Sequence, residues 1–331
     1  MTLGAVLTAS LLASLGRPST WVLALLGFLI RGGLLVVLAP IVVIPSAVGL
    51  ANVIAPTLTS MVFGGLSTEV VALIVGGVTA LAAWLVLGGL LTAAAEAEAI
   101  TRIADDEDSA MSRRSGLAMG ILLARGIAAV PLALALGIGA VRVVAVAYRE
   151  LTVPSEVAVP VAVRIIRGAP EAVAAILLAW VVAEVIGALA ARRVVLHGDG
   201  PIDALFHAVG HALRYPLQTV VAFVLPLVVL VAIIVPSAAA AGVTWDAIRD
   251  AIANDAGPLA VGGLLLAFIG LWGGGLVLIG MVTAWRAAVW TVEVARTFGG
   301  VATALPGEWT AGSGAATLHD LRSPGADPDP R

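Results

Sequence analysis

The sequence predicts an all-α polytopic membrane bundle: six transmembrane helices with short interfacial amphipathic helices between them. Three observations carry this expectation. The 331-residue chain is 60% hydrophobic and only 12% charged, about half the ~25% charge of an ordinary soluble domain. Its apolar residues gather into runs of about 20, the length that crosses a bilayer. Its mean hydropathy is +1.08, so lipid is the solvent that suits such a surface. The chain contains no cysteine, which removes disulfides, thiolate metal sites and cysteine nucleophiles. All 18 basic residues are arginine; the small net charge of −3 carries no information about nucleic acid, and no nucleic-acid partner is expected. No arginine precedes Arg17, which argues against a cleaved signal peptide. No hydrophilic stretch is long enough for a separate soluble domain.

Taken in order, Leu3, Leu7, Leu11 and Leu15 recur at helical spacing up to the break at Arg17-Pro18. They predict an in-plane helix, with Trp21 as an interface anchor. The first span is expected over 21–44, with Arg31 turned to the bundle interior because a charge facing lipid at that depth is costly. The second covers 70–95 and continues as a helix through Glu96, Glu98 and Arg102, where Glu98 and Arg102 form a surface i,i+4 pair. A charged connector follows. The third covers 117–146 with Arg125, Pro131 and Arg142 inside it. It is too long for one perpendicular crossing, so either it tilts or its first turns lie at the interface until Pro131. A short surface helix is expected from Ser155, a favourable cap. The fourth span, 171–191, opens at Pro170 and contains Glu184.

Within residues 192–216 (RRVVLHGDGPIDALFHAVGHALRYP), Pro201 to Arg214 is predicted to form a helix lying on the membrane surface. A stretch of 14 residues rises only about 20 Å, too little for a ~30 Å hydrocarbon core. The fifth span is 217–235 with a kink at Pro226. Thr244–Asn254 reads as a small external amphipathic helix. The sixth is 258–285, where Gly270 and Gly274 form a G-x-x-x-G pair that lets another backbone approach. Arg286 to Arg296 should carry this helix out of the membrane. Residues 1–298 thus form one integral membrane domain, and the Gly/Pro/Asp-rich tail 299–331 is expected to be poorly ordered.

Arginines flanking the spans set the orientation. Eleven lie at one end (Arg17, Arg102, Arg113, Arg114, Arg192, Arg193, Arg214, Arg286, Arg296, Arg322, Arg331) and four at the other (Arg149, Arg164, Arg167, Arg249). This predicts a protein of the cell inner membrane with both termini cytoplasmic.

The sequence also suggests a threefold repeat of interfacial helix plus helical hairpin. Leu7, Leu11, Leu15 and Pro18 align without a gap on Leu205, Val209, Leu213 and Pro216. A middle unit would carry Arg125 before Pro131 and Glu184 before Arg192. This layout, strongest at RRVVLHGDGPIDALFHAVGHALRYPLQTVV, resembles the six-span membrane domain of bacterial glycerophosphodiester phosphodiesterases and its stand-alone relatives. The likeness covers spans four to six. The catalytic domain of those enzymes has no counterpart in this sequence, so the resemblance implies a membrane module and transfers no catalytic residues.

Two constellations bear on function. Asp203, His207 and His211 stand at i, i+4 and i+8, a spacing that can hold a divalent metal. The same spacing is also the wet face of an amphipathic helix whose apolar face is Ile202, Leu205, Phe206, Val209 and Leu213; that second reading predicts no metal and no cofactor. Arg31, Arg125, Arg142 and Glu184 are ionisable residues within spans, either paired structurally or lining a polar path. No catalytic motif is present. The expectation is a non-enzymatic membrane module, permease-like or lipid-interacting. Its partners would be the bilayer and either another membrane protein or a second copy. The alternatives are a stand-alone solute transporter using the buried Arg and Glu residues, and a membrane enzyme with a His/Asp metal site.

Overall fold

A computed structural model of the chain describes residues 3–42, 67–104, 117–153, 155–156 and 159–297. The described residues are predominantly helical, without strands, and include six helices long and apolar enough to cross a membrane. These are Pro18–Leu38, Thr68–Ala104, Val130–Glu150, Pro170–His197, Pro216–Ala253 and Pro258–Ala295. Their outward side chains are apolar: Leu73, Val78 and Leu85 keep 72%, 62% and 62% of their surface accessible. A soluble protein does not offer water an apolar belt of that extent, so the chain is a multi-pass membrane protein. The tail at 299–331 and the connector at 105–116 lie outside the described residues.

Three shorter helices complete a repeating plan. Leu3–Leu15, Leu117–Ala128 and Pro201–Arg214 each end just before a span that carries proline in its first turn: Pro18, Pro131 and Pro216. A first-turn proline loses no intrahelical bond, because that N–H has no helical partner in any case. Each short helix with its two following spans makes one unit. The N-terminal helix packs on span six, the middle short helix on span two, and the central helix on span four. Each short helix therefore lies on the second span of the preceding unit, in a closed ring. Spans two, four and six touch one another at the centre. Small residues dominate the packed interior: Ala124, Ala190, Ala191, Ala204, Ala208, Ala284 and Ala288 are completely buried. Small side chains let helix backbones approach where lipid supplies no hydrophobic drive.

Several local expectations are corrected. The third predicted span is not one tilted helix: it divides at Ala129, just before Pro131, into Leu117–Ala128 and Val130–Thr152, and the first piece packs against spans two and four. Thr244–Asn254 is no separate helix, because Pro216–Ala253 is continuous through Pro226 and Pro236. Ser155 caps no helix. The surface helix is Val161–Gly168, and the Ser155 N–H and hydroxyl both donate to Glu150 Oε2, at 3.0 and 2.7 Å, fastening the end of span three. On the N-terminal helix, Val6, Ser10 and Ser14 pack inward while Leu11, Leu12 and Leu15 face outward; the narrow small-residue stripe makes the protein contact and the leucines suit lipid. Trp21 Nε1 donates to the Ser14 carbonyl at 2.8 Å, tying this helix to span one. The close approach on span six is also displaced. A Cβ at Gly270 or Gly274 would meet nothing, whereas at Gly280 it would lie 3.1 Å from the Trp21 carbonyl and at Gly275 3.0 Å from Ser237.

Candidate functional site

Charged side chains converge where spans one, two, four and six meet the middle short helix. Span two delivers Glu96, which lies on one helical face with Thr92 and Ala99. Its carboxylate accepts from three arginines on three other elements. Arg125 of the middle short helix grips it with a fork, Nε to Oε2 at 2.7 Å and Nη2 to Oε1 at 2.6 Å. Arg31 of span one donates to Oε2 at 2.6 Å, and Arg192 of span four to Oε1 at 2.7 Å. Arg192 also donates to the Ala188 carbonyl at 2.9 Å. One turn and more away, Arg286 of span six donates to Glu184 Oε2 at 2.9 Å and lies over the Phe223 ring, 5.6 Å from its centroid. Forked, charge-assisted bonds of this kind are the strongest a protein makes between side chains.

The local backbone is built for this convergence. Span one is not a continuous α-helix. At Leu29–Gly33 the winding loosens, with Arg31 at φ −77°, ψ 15° and Gly32 at φ 107°, ψ −6°. Glycine is required at such a positive φ. Non-helical backbone survives at membrane depth only where protein or a polar cavity surrounds it, and here it presents Arg31 to the cluster. Span two carries a matching π-bulge at Trp84–Gly88, two turns before Glu96; such bulges recur at functional sites.

The cluster borders a cavity of about 330 Å³ whose wall includes Arg31, Glu96, Arg125, Glu184, Arg192 and Arg286. A second cavity of about 280 Å³ shares Arg31, Arg125 and Glu184 and reaches Trp84 and Gly88. Accessibility is graded: the Arg192 side chain keeps 3%, Glu96 10% and Arg31 35%. Arg192 is thus a fixed part of the wall, whereas Arg31 reaches into open space. Spans two and six meet the chamber as repeat equivalents. Residues 85–93 (LVLGGLLTA) and 276–284 (LVLIGMVTA) agree at six of nine positions, and the next-to-last residue of each, Thr92 and Thr283, lines the cavity.

Of the residues singled out in the sequence, Arg31, Arg125 and Glu184 belong to this chamber. Arg142 does not: it pairs at 3.3 Å with Glu171, and both side chains are more than half accessible. Glu96, Arg192 and Arg286 were expected outside the bundle, as a helix extension and two basic flanks, and the structure places all three inside. The signal for Glu96 is its face: Glu98 and Arg102 pair on the outside at 2.8 Å, while Glu96 follows Thr92 one turn on. Removing Arg192 and Arg286 from the eleven flanking arginines leaves nine against four, so the charge asymmetry keeps its sign.

The structure does not bring Asp203, His207 and His211 together. The helix Pro201–Arg214 forms as expected and leaves Ile202, Phe206 and Leu213 outward. Its inner face, however, is Ala204, Ala208 and His211 rather than the leucine side. His207 joins Asp199 at 3.1 Å, and Arg193 Nη2 reaches the same carboxylate at 2.7 Å, which pins the helix to the end of span four. His211 turns inward to 3% exposure and packs on Tyr215, ring centroids 5.2 Å apart. Among the described residues no three His, Asp or Glu side chains are placed to hold a metal ion.

Burial first, and Arg193 second, hold the His211 imidazole below its ordinary 6.5. The unfolded chain therefore takes up a proton here before the folded one does. Stability contributed by neutral His211 is present above about pH 6.5 and is lost as pH falls from there toward the lowered folded value. Thermal unfolding at about pH 7.5 and about pH 5.5 should show a drop that His211→Phe, an uncharged ring, reduces; an equal drop in that variant would place the titrating group elsewhere.

Comparison with protein-family models, with curated proteins and with solved structures finds no match to this chain, so the functional reading rests on the chamber itself.

Proposed function

We propose that this protein is a non-catalytic, permease-like membrane component that admits a polar ligand, a small solute or a lipid headgroup, into the arginine–glutamate chamber. One observation carries the reading: an open cavity at a break in span one, walled by six charged side chains inside an apolar bundle. A purely structural ion-pair network has no need of empty space beside it, and lipid-exposed helices rarely hold so many ionisable groups. Broken spans beside polar residues are the way helical transporters build binding sites. The resemblance to stand-alone six-span membrane modules agrees with a role that needs no catalytic residues. The chamber is lined by the later turns of spans two, four and six and by the earlier turns of spans one and five, which places it in the arginine-rich end of the bundle. By the arginine asymmetry that end faces the cytoplasm of the cell inner membrane, with both termini on the same side. Reporter fusions after Thr57 and Gly257 should then read external and those after Asp106 and Gly198 cytoplasmic; a cytoplasmic signal at Thr57 would reverse the orientation.

The absence of cysteine makes the chamber directly testable. Thr283 lines the cavity, whereas Val277 faces outward. Thr283→Cys should react with a hydrophilic methanethiosulfonate in purified protein, and Val277→Cys, in lipid, should not. An inert Thr283→Cys would remove the chamber as a ligand site. Flux of solutes into proteoliposomes then distinguishes a transporter from a binding component.

A further inference from the structure

The following rests on the chamber reading and names its ligand class. We propose that the chamber takes a phosphate-class oxyanion, either inorganic phosphate or the phosphomonoester headgroup of a lipid, with Arg31 and Arg286 as its cationic contacts. The wall carries four guanidiniums, Arg31, Arg125, Arg192 and Arg286, against two carboxylates, Glu96 and Glu184. Full pairing inside the wall leaves two positive charges over, in a setting where lipid and alanine supply no counter-charge. Isolated charge in such surroundings is costly, and an entering dianion neutralises it.

The spare charge has an address. Arg125 spends its fork on Glu96, and Arg192 is sealed. Arg31 and Arg286 each make one hydrogen bond among the described residues. A guanidinium holds five N–H donors, so both retain most of theirs, and both side chains reach the cavity with 35% and 19% accessibility. The wall is therefore short of negative charge, and the unspent donors of Arg31 and Arg286 are short of acceptors. An oxyanion supplies both, and its oxygens match the planar guanidinium fork, which a halide's single centre does not. A cavity of about 330 Å³ is at the small end of ligand sites, which suits a phosphate group rather than a whole lipid.

The test uses the full chain carrying Thr283→Cys, in phosphatidylcholine nanodiscs. Labelling by anionic sulfonatoethyl and cationic trimethylammonioethyl methanethiosulfonate is compared after normalising to a free thiol. The anionic reagent should win by about tenfold or more, as focusing by a positive cleft predicts. Millimolar inorganic phosphate should slow it and choline chloride should not. Arg31→Gln and Arg286→Gln should each reduce the preference. Arg31→Lys, which retains the charge but not the fork, should keep the preference and lose phosphate protection, so a folding defect in the glutamine variants leaves a readable arm. Nanodiscs containing phosphatidic acid identify the source: protection there without added phosphate assigns a lipid headgroup, and protection by added phosphate alone assigns a soluble ligand. Equal rates, a faster cationic reagent, or protection from neither source overturns the proposal while leaving the chamber standing. Silence toward both reagents overturns the chamber and the proposal together.

Discussion

Glu96→Gln is expected to be the most damaging single substitution in the bundle. The carboxylate is the common acceptor for Arg31, Arg125 and Arg192, each within 2.7 Å. Removing one partner of a buried ion pair costs about 3–5 kcal/mol, chiefly because the other charge is left buried without compensation. Here three guanidiniums lose their counter-charge, two of them with 17% and 3% of the side chain accessible. The control lies two residues further along the same helix. Glu98 makes an i,i+4 pair with Arg102, and both side chains are 43% accessible; Glu98→Gln should cost no more than about 0.5 kcal/mol. Equilibrium unfolding in mixed micelles, or the yield of folded protein, compares the two. Glu96→Gln combined with Arg125→Gln should cost less than the sum of the single changes, because the second removes part of the charge that the first exposes. Equal penalties for Glu96→Gln and Glu98→Gln would mean that the cluster contributes nothing to the fold.

That contrast also marks what the sequence could and could not convey. The six spans, the short helices and the proline-led repeat were legible because each depends on local pattern: apolar length, 3.6-residue periodicity, and proline in a first turn. The helix Pro201–Arg214 was legible to its ends, because Gly200-Pro201 starts it and Tyr215-Pro216 stops it. Charge placement was legible only where a residue stood alone in an apolar run, as Arg31, Arg125 and Glu184 do. Glu96, Arg192 and Arg286 sit where an apolar run shades into a polar end, and there the sequence reads the same for a wet flank as for a buried site. Only the ring of short helices, which extends the protein wall around the central spans, decides for burial. Arg142 shows the converse. It lies deep in an apolar run, yet its face of span three looks away from the bundle toward Glu171. His211 was missed because a helix rich in alanine packs through Ala204 and Ala208 rather than through its larger apolar residues, and that choice rotates the inner face onto the histidine.

The second large effect concerns the break in span one. Gly32 sits at φ 107° and a Cβ there would meet no atom within 4 Å, so a substitution tests conformation and not space. An L side chain in that region costs roughly 1–3 kcal/mol. Gly32→Ala is expected to lose that stability, or to straighten the span and withdraw Arg31 from Glu96. Gly32→Asn should be milder, because asparagine tolerates positive φ better than alanine. Gly76 and Gly77 provide the reference: they too have no neighbour within 4 Å, but their φ is not positive and they lie within the helix Thr68–Ala83. Alanine at either should be neutral or stabilising by up to about 1 kcal/mol. A straightened span also predicts a functional signature. Thr283→Cys carrying Gly32→Ala should show a weaker preference for an anionic thiol reagent, as is expected of Arg31→Gln, even though no charge has been removed. If Gly32→Ala matches Gly76→Ala in stability and leaves reagent preference unchanged, the break is incidental to the chamber and Arg31 is held there by Glu96 alone.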